Sequence, residues 1–500
     1  MAIVSAGLVP GITTLGAPRL LIGAAEPSLR SLSLRLRGRS DQDASTLPWS
    51  LDYAHGLPLA PSVSNSVDPR HSFFDMLTES QYWRRDEMRN FQRSQLRQLL
   101  AHARKNVPFY AERLEPLFRF DGSIDWDRWT DIPVVARKDL VEHRDTMQAR
   151  SLPSGHRLAG TVRSSGSTGV PIEITLTSHI AIAADALRWR VHQWHGLDWS
   201  KNILNRLGDN QGPIDWPQGT PRGPWGPPWA PEAVDGFAWS FNSKVPHDVI
   251  LDFLESHNCP YLVSAPKVTQ LLAREATAKK RSVKLAAVLM HSGEVGQTDR
   301  DLVRETFGAR LIEHYSSKEG AQMAHECPAG HLHVNAEACL LEIVDDDGQP
   351  CAPGALGRVV ITPFFYTAQP LIRYDQGDLA VAGETCECGR TLPVLASIAG
   401  RSLAIFRHPD GRSIVEKMPD SARNILQCDA WQTAQVGPND YEVRYVPRDW
   451  EAVGDEASFI GFFRSLYFAD ATVRLKRVRD LPLTAAGKMI EYVNEWQPLS

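Results

Sequence analysis

The sequence is poor in cysteine and has no long apolar run beyond its first residues. Its seven cysteines among 500 residues do not form the dense pattern of a secreted disulfide framework. Residues 1–25 are apolar, but glycine and proline interrupt them and no basic segment precedes them, so we do not predict a signal peptide. No other segment holds about eighteen uninterrupted apolar residues, so we predict no membrane span. These absences predict a cytoplasmic protein.

The chain also lacks a large excess of charge of one sign. A formal net charge of −5 gives no electrostatic reason to expect nucleic acid as a partner. The hydrophobic fraction of 43% and the charged fraction of 23% are typical of a soluble globular protein, and 500 residues predict two or more domains.

The order of apolar and polar segments predicts an α/β fold. Apolar residues from Phe91 to Ala103 recur at helical spacing, and the helix is expected to end before Pro108. Strand and helix patterns then alternate, which predicts a mostly parallel sheet with helices on both faces. The predicted helices are 180–194, 248–256 and 266–276, the predicted strands are 261–264, 285–290, 310–312, 339–344, 357–363 and 398–406, and 207–230 is predicted to be a tryptophan-rich loop.

A cluster of hydroxyl and glycine residues precedes a further predicted strand at 172–176. It consists of Ser164, Ser165, Gly166, Ser167, Thr168 and Gly169. Glycine lets the backbone approach a bulky anion, and the N–H groups and hydroxyls can donate to it, so the cluster indicates phosphate binding. It lacks the lysine of a Walker A loop and the G-x-G-x-x-G pattern of a dinucleotide site. A flexible loop or linker is the alternative that composition alone leaves open.

Five further short motifs follow in order. They are His291-Ser292-Gly293-Glu294, His314-Tyr315-Ser316-Ser317-Lys318-Glu319-Gly320, Arg373-Tyr374-Asp375-Gln376-Gly377-Asp378, Gly400-Arg401 and the segment 481–488, which ends in Lys488. With the hydroxyl-rich loop, this ordered set resembles the adenylate-forming (ANL) superfamily of acyl-CoA synthetases, adenylation domains and luciferases. The likeness covers most of the chain, from about residue 75 to the end. The segment 386–393, Cys-Glu-Cys-Gly-Arg-Thr-Leu-Pro, narrows it to the phenylacetate-CoA ligase branch.

The resemblance implies ATP- and Mg²⁺-dependent activation of a small carboxylic acid as an acyl adenylate. Such an enzyme must hold a polyanion and align two anions that repel each other. The implied architecture is α/β. A large N-terminal domain at 71–400 has mixed and parallel sheets covered by helices and includes a β-rich subdomain, and a small mobile α+β domain follows at 402–500. Residues 1–70 are predicted to be an N-terminal extension.

Roles for the nucleotide site follow from the same resemblance. The loop from Ser164 to Gly169 would hold the β- and γ-phosphates of ATP. Tyr315 would stack on adenine, and Glu319 would hold Mg²⁺, a hard cation that prefers oxygen ligands. Ser316 and Glu294 complete the expected nucleotide-binding set. Considered alone, Tyr315 could equally be a core residue and Glu319 a surface charge.

Three further residues are expected to act on the ribose and the α-phosphate. Asp378 would accept hydrogen bonds from both ribose hydroxyls, although a turn aspartate is the ordinary alternative. Arg401 would approach the ribose or the α-phosphate and mark the start of the mobile domain. Lys488 would stabilise the charge between the carboxylate and the α-phosphate, because a point charge on a flexible stem suits delivery by domain closure.

Three cysteines and a histidine form a candidate zinc site. Cys327, Cys386 and Cys388 offer thiolates, and three thiolates with one imidazole are a structural zinc set. The spacing is not the usual C-x₂-C, and buried cysteines without a metal are the alternative. His333 fits the family's position better than His331, and the choice stays open at this level. A zinc ion here would join the segment after Glu319 to the segment before Arg401.

Two departures from the family pattern bear on the chemistry. Val170 stands where the family commonly has lysine, so the loop lacks one expected positive charge. After Arg401 the chain reads Ser-Leu-Ala-Ile-Phe in place of paired aspartates and a glycine-rich hinge. The hinge departure places the second half-reaction, and CoA as acceptor, in question.

Three functions are therefore open. The first is a ligase that passes an acid, expected to be aromatic, to CoA, with the tryptophans of 207–230, His291 and Glu294 near the acid. The second passes the acyl group to an amine, a hydroxyl or a carrier protein. The third is an inactive relative that acts as a binding protein. A homodimer is a further expectation, and neither a nucleic acid nor a membrane is expected as a partner.

Overall fold

The structure is a computed structural model. It describes residues 68–163, 172–206, 216–230, 235–242, 244–291, 295–401, 406–410, 412–414, 418, 422–451, 454–482 and 491–496, with only the backbone at 399–401, 407, 413 and 414. Among these residues, no helix is long and apolar enough to cross a membrane. The phosphate loop at 164–169, Glu294 and Lys488 lie outside the described residues, as does most of the predicted N-terminal extension.

Ten α-helices are described. They are α1 (Pro69–Ser80), α2 (Arg85–Asn106), α3 (Pro108–Ala111), α4 (Arg137–Glu142), α5 (Ser178–Trp194), α6 (His247–Ser256), α7 (Pro266–Ala278), α8 (Gln297–Phe307), α9 (Ala422–Leu426) and α10 (Glu456–Leu466), with two short 3₁₀ turns at Glu115–Leu117 and Trp126–Asp131.

Twenty strands accompany them in the described residues. They are β1 (Leu158–Arg163), β2 (Glu173–Thr177), β3 (Ile203–Arg206), β4 (Thr220–Pro224), β5 (Phe237–Phe241), β6 (Tyr261–Ser264), β7 (Ala287–Met290), β8 (Arg310–Ser317), β9 (Ala321–Glu326), β10 (Leu332–Val334), β11 (Cys339–Val344), β12 (Leu356–Pro363), β13 (Tyr374–Ala382), β14 (Val394–Arg401), β15 (Phe406–Arg407), β16 (Ser413–Ile414), β17 (Cys428–Gln435), β18 (Asp440–Pro447), β19 (Thr472–Arg477) and β20 (Tyr492–Asn494).

The main sheet has a parallel half and an antiparallel half that share β8. Its order is β11-β12-β13-β14-β10-β9-β8-β7-β6-β3-β5-β4. From β8 to β5 the strands pair in parallel, and α6, α7 and α8 make the crossovers that parallel neighbours require. From β8 to β11 every pairing is antiparallel. The α/β fold class predicted from the sequence is confirmed.

Helices cover both faces of the parallel half. Since successive side chains of a strand point to opposite sides, the side chains of each strand are buried against helices on both faces. In β7, Val288 and Met290 join the apolar cluster of α6, α7 and α8. Ala287 and Leu289 point the other way and join Val191, near the end of α5. The all-apolar sequence of β7 therefore reflects burial on both faces.

A second, smaller sheet follows the main one. Its order is β19-β18-β17-β20, with α9 and α10 contributing to its core. Trp431, Tyr441 and Phe459 are fully buried in that core. The predicted small α+β arrangement is present in residues 422–496, whereas the boundaries proposed at 70 and 400 stay predictions.

Most predicted elements are confirmed, and the differences lie at their ends. The strand expected at 310–312 runs on to Ser317, so Tyr315 and Ser316 lie in a strand. Asp378 lies within β13, so its interpretation as a turn residue is wrong. The strand expected at 398–406 begins earlier, at Val394. The irregular region 207–230 contains β4, an edge strand, which is where a sheet tolerates proline.

A buried ion pair joins α5 to the segment between β10 and β11. Arg190 and Glu337 have fully buried side chains, and Nη1 lies 2.7 Å from Oε1. Ser80 donates to the same carboxylate at 2.6 Å, and Arg190 also donates to Asn335 at 2.7 Å. The pair therefore provides hydrogen-bond partners for buried polar groups in three segments: the end of α1, α5 and the residues between β10 and β11.

We predict that Arg190→Met lowers the free energy of unfolding by about 3–5 kcal/mol, because it leaves the Glu337 charge buried without its partner. The measurement is guanidinium denaturation followed by fluorescence. Adding Glu337→Gln to Arg190→Met should recover part of the loss. Arg304→Met, which removes an exposed pair with Asp301, should change stability by no more than about 0.5 kcal/mol. An equal loss in both single variants would contradict the argument.

Candidate active site and metal centre

A hydrogen bond joins two of the predicted site residues. The Tyr315 hydroxyl donates to Oδ2 of Asp378 at 2.7 Å. Burial, together with the nearby carboxylate, raises the pKa of Tyr315, so the hydroxyl keeps its proton and remains a donor. The two residues are 63 positions apart in the sequence, so this contact depends on the tertiary fold.

The contact requires the antiparallel half of the sheet to curl. Between β8 and β13 lie β9, β10 and β14. In a flat sheet, four strand spacings would separate Tyr315 from Asp378 by about 19 Å. A second bond closes the same gap, since Ser317 Oγ donates to Gln376 Oε1 at 3.0 Å. The ends of β8 and β13 are therefore brought together at one position.

Arg401 is placed beside Asp378 by strand pairing. In the antiparallel register of β13 with β14, Asp378 is directly opposite Arg401. The side chain of Arg401 is outside the described residues. The backbone therefore supports the predicted proximity of these residues, and the role of the guanidinium stays a prediction.

Glu319 is a buried carboxylate in the turn after β8. The residue is only 4% exposed, and its Oε1 lies 3.7 Å from Nη1 of Arg137 in α4. Because a buried carboxylate needs a counter-charge, the interpretation as a surface charge is wrong. The sequence analysis did not identify Arg137, since no local pattern connects it to Glu319.

The turn that carries Glu319 is fixed from several sides. Gly320 N–H donates to Ser317 Oγ at 2.8 Å, and the Tyr366 hydroxyl donates to the Lys318 carbonyl at 2.8 Å. Lys318 Nζ donates to the backbone carbonyl of Arg163 at the end of β1. These contacts hold the turn rigidly beside the point where the chain leaves β1.

The strands that flank the predicted phosphate loop are described even though the loop is not. β1 and β2 pair antiparallel, with Arg163 opposite Glu173. The strand predicted after the loop is confirmed as β2, and β1 ends where the loop begins. The roles of Ser164 to Gly169 stay predictions.

The predicted zinc ligands come together. One ligand atom from each of Cys327, His333, Cys386 and Cys388 lies within 4.8 Å of the others. Cys327 Sγ is 3.7 Å from Cys386 Sγ, and Cys388 Sγ is 3.3 Å from His333 Nε2. Three of the four residues are buried. Three sulfurs and one imidazole nitrogen at this separation fit a tetrahedral zinc ion.

The second nitrogen of His333 supports the same arrangement. His333 Nδ1 lies 3.2 Å from the carbonyl of Leu392, so a proton on Nδ1 leaves Nε2 facing the cysteines, as metal-binding histidines require. His331 is not part of the four-residue group. Its Nδ1 lies 3.3 Å from Cys386 Sγ, in a second group with Glu387. The geometry favours His333 over His331.

Four histidines that the sequence analysis missed surround the end of α5 and the strands β8 and β9. His314 and His325 are cross-strand partners with ring centroids 4.8 Å apart, and His192 and His195 come from the helix side. Burial lowers the pKa of His314 to about 3 and that of His195 to about 4. These imidazoles are therefore neutral at physiological pH.

Two tryptophans of the 207–230 segment hold it to the body of the protein. Trp225 donates to the Lys201 carbonyl at 2.7 Å and packs edge-on against His192. Trp229 stacks on His71 with centroids 4.2 Å apart. Trp216 is 40% exposed. The contacts of Trp225 and Trp229 thus favour a role in packing this segment onto the body of the protein over a place in a substrate pocket.

A small apolar cavity lies between α5 and the turn after β8. Its walls include Ala183, Ala184, Gly320 and Tyr366. The space is narrow and holds about one water molecule. An aromatic acid therefore does not fit this cavity with the side chains in their present positions.

Comparison with known proteins agrees with this architecture. No family model matches the chain. A phenylacetate-coenzyme A ligase of Thermus thermophilus is 26% identical over 334 residues, which cover 64% of this chain and 71% of that protein. Two structures of 2-hydroxyisobutyryl-CoA ligase have the same fold. One is in the postadenylation state with 2-HIB-AMP. It has a TM-score of 0.61 and 18% sequence identity, and the match covers 83% of this chain and 93% of that one. The other is an open conformation with 2-HIB-AMP and CoA. It has a TM-score of 0.59 and 19% sequence identity, and the match covers 81% of this chain and 93% of that one.

The fold is that of the adenylate-forming 2-hydroxyisobutyryl-CoA ligase structures. In sequence the chain is similar to a phenylacetate-coenzyme A ligase, the branch that the motifs indicated.

The tight packing of Gly320 generates a prediction for the turn that carries Glu319. A Cβ on Gly320 would lie 2.5 Å from Met323 Sδ and 2.7 Å from Ile361 Cδ1. Gly320→Ala should therefore cost about 1–3 kcal/mol of stability through overpacking. Gly461→Ala, which meets no atom within 4 Å, should be neutral or slightly stabilising. Guanidinium denaturation of both variants tests the difference, and an unaffected Gly320→Ala would show that the turn adjusts freely.

Proposed function

We propose that the protein activates a carboxylic acid with ATP and transfers the acyl group to CoA. The observation that carries the proposal is the closure of β8 onto β13, which joins the tyrosine motif to Asp378 in a chain of the adenylate-forming superfamily. The printed names of the relatives, phenylacetate-CoA ligase and 2-hydroxyisobutyryl-CoA ligase, support an acid and CoA as substrates.

In the first half-reaction, a carboxylate oxygen attacks the α-phosphorus of ATP and pyrophosphate leaves. Asp378 would bind the ribose hydroxyls through its carboxylate, and its bond from Tyr315 fixes the orientation of that carboxylate. The Tyr315 ring would contact adenine. The loop Ser164 to Gly169 would hold the β- and γ-phosphates, with Ser316, Glu294 and Arg401 completing the nucleotide site.

Two positive charges would act at the reacting centre. Glu319 would hold Mg²⁺, and when bound this ion neutralises charge on the phosphates. Buried oxygen donors suit a hard cation, and Glu319 meets that requirement. Lys488 would bridge the carboxylate and the α-phosphate, because charge moves between them as the P–O bond forms.

In the second half-reaction, the CoA thiolate attacks the acyl carbon and AMP leaves. A second candidate function keeps the adenylation and delivers the acyl group to an amine, a hydroxyl or a carrier protein. It is favoured by one observation, the absence of acidic hinge residues after Arg401. The acid is proposed to be aromatic on the name of the phenylacetate-specific relative alone, since Trp225 and Trp229 are engaged in packing.

We also propose that Cys327, His333, Cys386 and Cys388 bind a structural zinc ion. The close approach of their four ligand atoms supports this. Zinc would join the end of β9 and the start of β10 to the segment before β14, and so would stabilise the antiparallel half that carries Asp378. A homodimer and a cytoplasmic location remain expectations from the sequence.

The function is tested by pyrophosphate release with a panel of aryl and small aliphatic acids, using hydroxylamine to trap the acyl adenylate. At least one acid should give pyrophosphate and the hydroxamate. Lys488→Ala should lower the rate on the order of 100-fold or more, while Lys476→Ala, an exposed lysine of β19, should retain it.

The acceptor is tested by adding CoA and analysing products by mass spectrometry. An acyl-CoA product supports the first proposal, and hydroxamate without acyl-CoA supports the second candidate. If no acid releases pyrophosphate, the result favours the third function, an inactive relative that acts as a binding protein. Full activity of Lys488→Ala would remove that residue from the mechanism.

The zinc proposal predicts about one zinc per chain in the purified protein by elemental analysis. Cys388→Ser and His333→Ala should each lose most of the metal. Cys351→Ser changes a cysteine outside the cluster and should retain it. His331→Ala separates the two histidines, since loss of zinc there and not in His333→Ala would reverse the assignment. A stoichiometry near zero in the unmodified protein would refute the site.

A further inference from the structure

Two histidines and two cysteines form matching pairs at the proposed zinc site. The chain reads His-Leu-His from His331 to His333 and Cys-Glu-Cys from Cys386 to Cys388. His333 Nε2 lies 3.3 Å from Cys388 Sγ, and His331 Nδ1 lies 3.3 Å from Cys386 Sγ. Each histidine therefore faces one cysteine, in the same order along both segments. The four-residue zinc group uses only one of these two histidines.

The backbone places both histidines on one face of the sheet. His333 lies in β10, and His331 immediately precedes that strand. The Cys327 N–H donates to the His331 carbonyl at 2.9 Å, which continues the pairing of β9 with β10 by one residue. Side chains two positions apart in a strand point to the same face. The position of His331 beside the cysteines is therefore fixed by the same strand pairing that places Cys327.

Glu387 supplies a third ligand atom on this side. One ligand atom from each of His331, Cys386 and Glu387 lies within 4.8 Å of the others. An imidazole, a thiolate and a carboxylate are the three kinds of side chain that bind zinc in proteins. This group shares Cys386 with the four-residue group and has two ligands of its own. The described residues thus form two candidate metal groups that have one sulfur in common.

The two groups differ in their access to solvent. Three of the four residues in the first group are buried, whereas Glu387 is exposed and His331 is half-buried. A tetrahedral ion with three protein ligands keeps one position for water. An ion in the second group would therefore be held by fewer protein ligands and would exchange with the solvent more easily than an ion in the first.

We propose that His331, Cys386 and Glu387 bind a second zinc ion, with the Cys386 thiolate bridging the two ions. The inference rests on the proposed structural zinc site, because Cys386 belongs to both. A thiolate sulfur has enough lone pairs to bind two metal ions at once. The first ion occupies the buried group at low free zinc, and the second binds as the free zinc concentration rises. This part of the sheet thereby responds to the concentration of zinc.

The test is equilibrium dialysis of the full-length protein against buffered zinc, followed by elemental analysis. The unmodified protein should hold about one zinc per chain at nanomolar free zinc and about two at micromolar free zinc. Glu387→Gln should lose the second ion and keep the first. The matched control is Glu384→Gln, which changes an exposed carboxylate of the same segment outside both groups and should bind both ions.

His331→Gln distinguishes a metal ligand from a hydrogen-bond donor. Its amide can still donate to the Cys386 sulfur but is a poor zinc ligand, so this variant should also hold only the first ion. Retention of the first ion shows that each variant is folded at this site.

Two results would overturn the inference and leave the single-zinc proposal intact. One is the absence of a second ion from the unmodified protein at micromolar free zinc. The other is a second ion that persists in both Glu387→Gln and His331→Gln. A protein without zinc at either concentration would instead refute the structural zinc site together with the inference.

Discussion

The hydrogen bond from Tyr315 to Asp378 joins the ends of two strands that three others separate in the sheet. It exists only because the antiparallel half curls until β8 and β13 meet. The second bond, between Ser317 and Gln376, spans the same gap. The turn with Lys318 and Glu319 follows directly from the end of β8, so its position depends on the same closure. The candidate nucleotide site is thus a product of sheet curvature more than of any single motif.

The cysteine–histidine cluster lies in that curved half. Cys327 follows β9, His333 lies in β10, and Cys386 and Cys388 precede β14, so the four ligands come from segments next to adjacent strands. β14 is also the strand that places Arg401 opposite Asp378. A metal ion in the cluster would therefore stabilise the sheet between the tyrosine motif and Asp378, which links a structural element to the geometry of the candidate site.

Local patterns in the sequence predicted the helices and strands, but they did not predict the contacts between residues far apart in the chain. The period of apolar residues located α2, α5 and β7. The resemblance of the ordered motifs to a family identified Glu319 and Asp378, and residue type identified the four candidate metal ligands. No local pattern predicts that Arg137 faces Glu319 or that Lys318 reaches Arg163, because each pair is brought together by the fold. Composition also could not decide the role of the tryptophans, since Trp225 and Trp229 are as suitable for packing as for binding an aromatic acid.

The buried histidines at the end of α5 and in strands β8 and β9 make the fold sensitive to acid. His314 and His195 are neutral in the folded protein, with pKa values of about 3 and about 4, whereas an unfolded histidine takes up a proton near pH 6.5. The unfolded chain therefore binds more protons below that pH, and stability falls as the pH drops from about 6.5 toward 4. The same burial keeps these imidazoles neutral at neutral pH, so the charge of this part of the sheet stays constant there, at the cost of tolerance to acid.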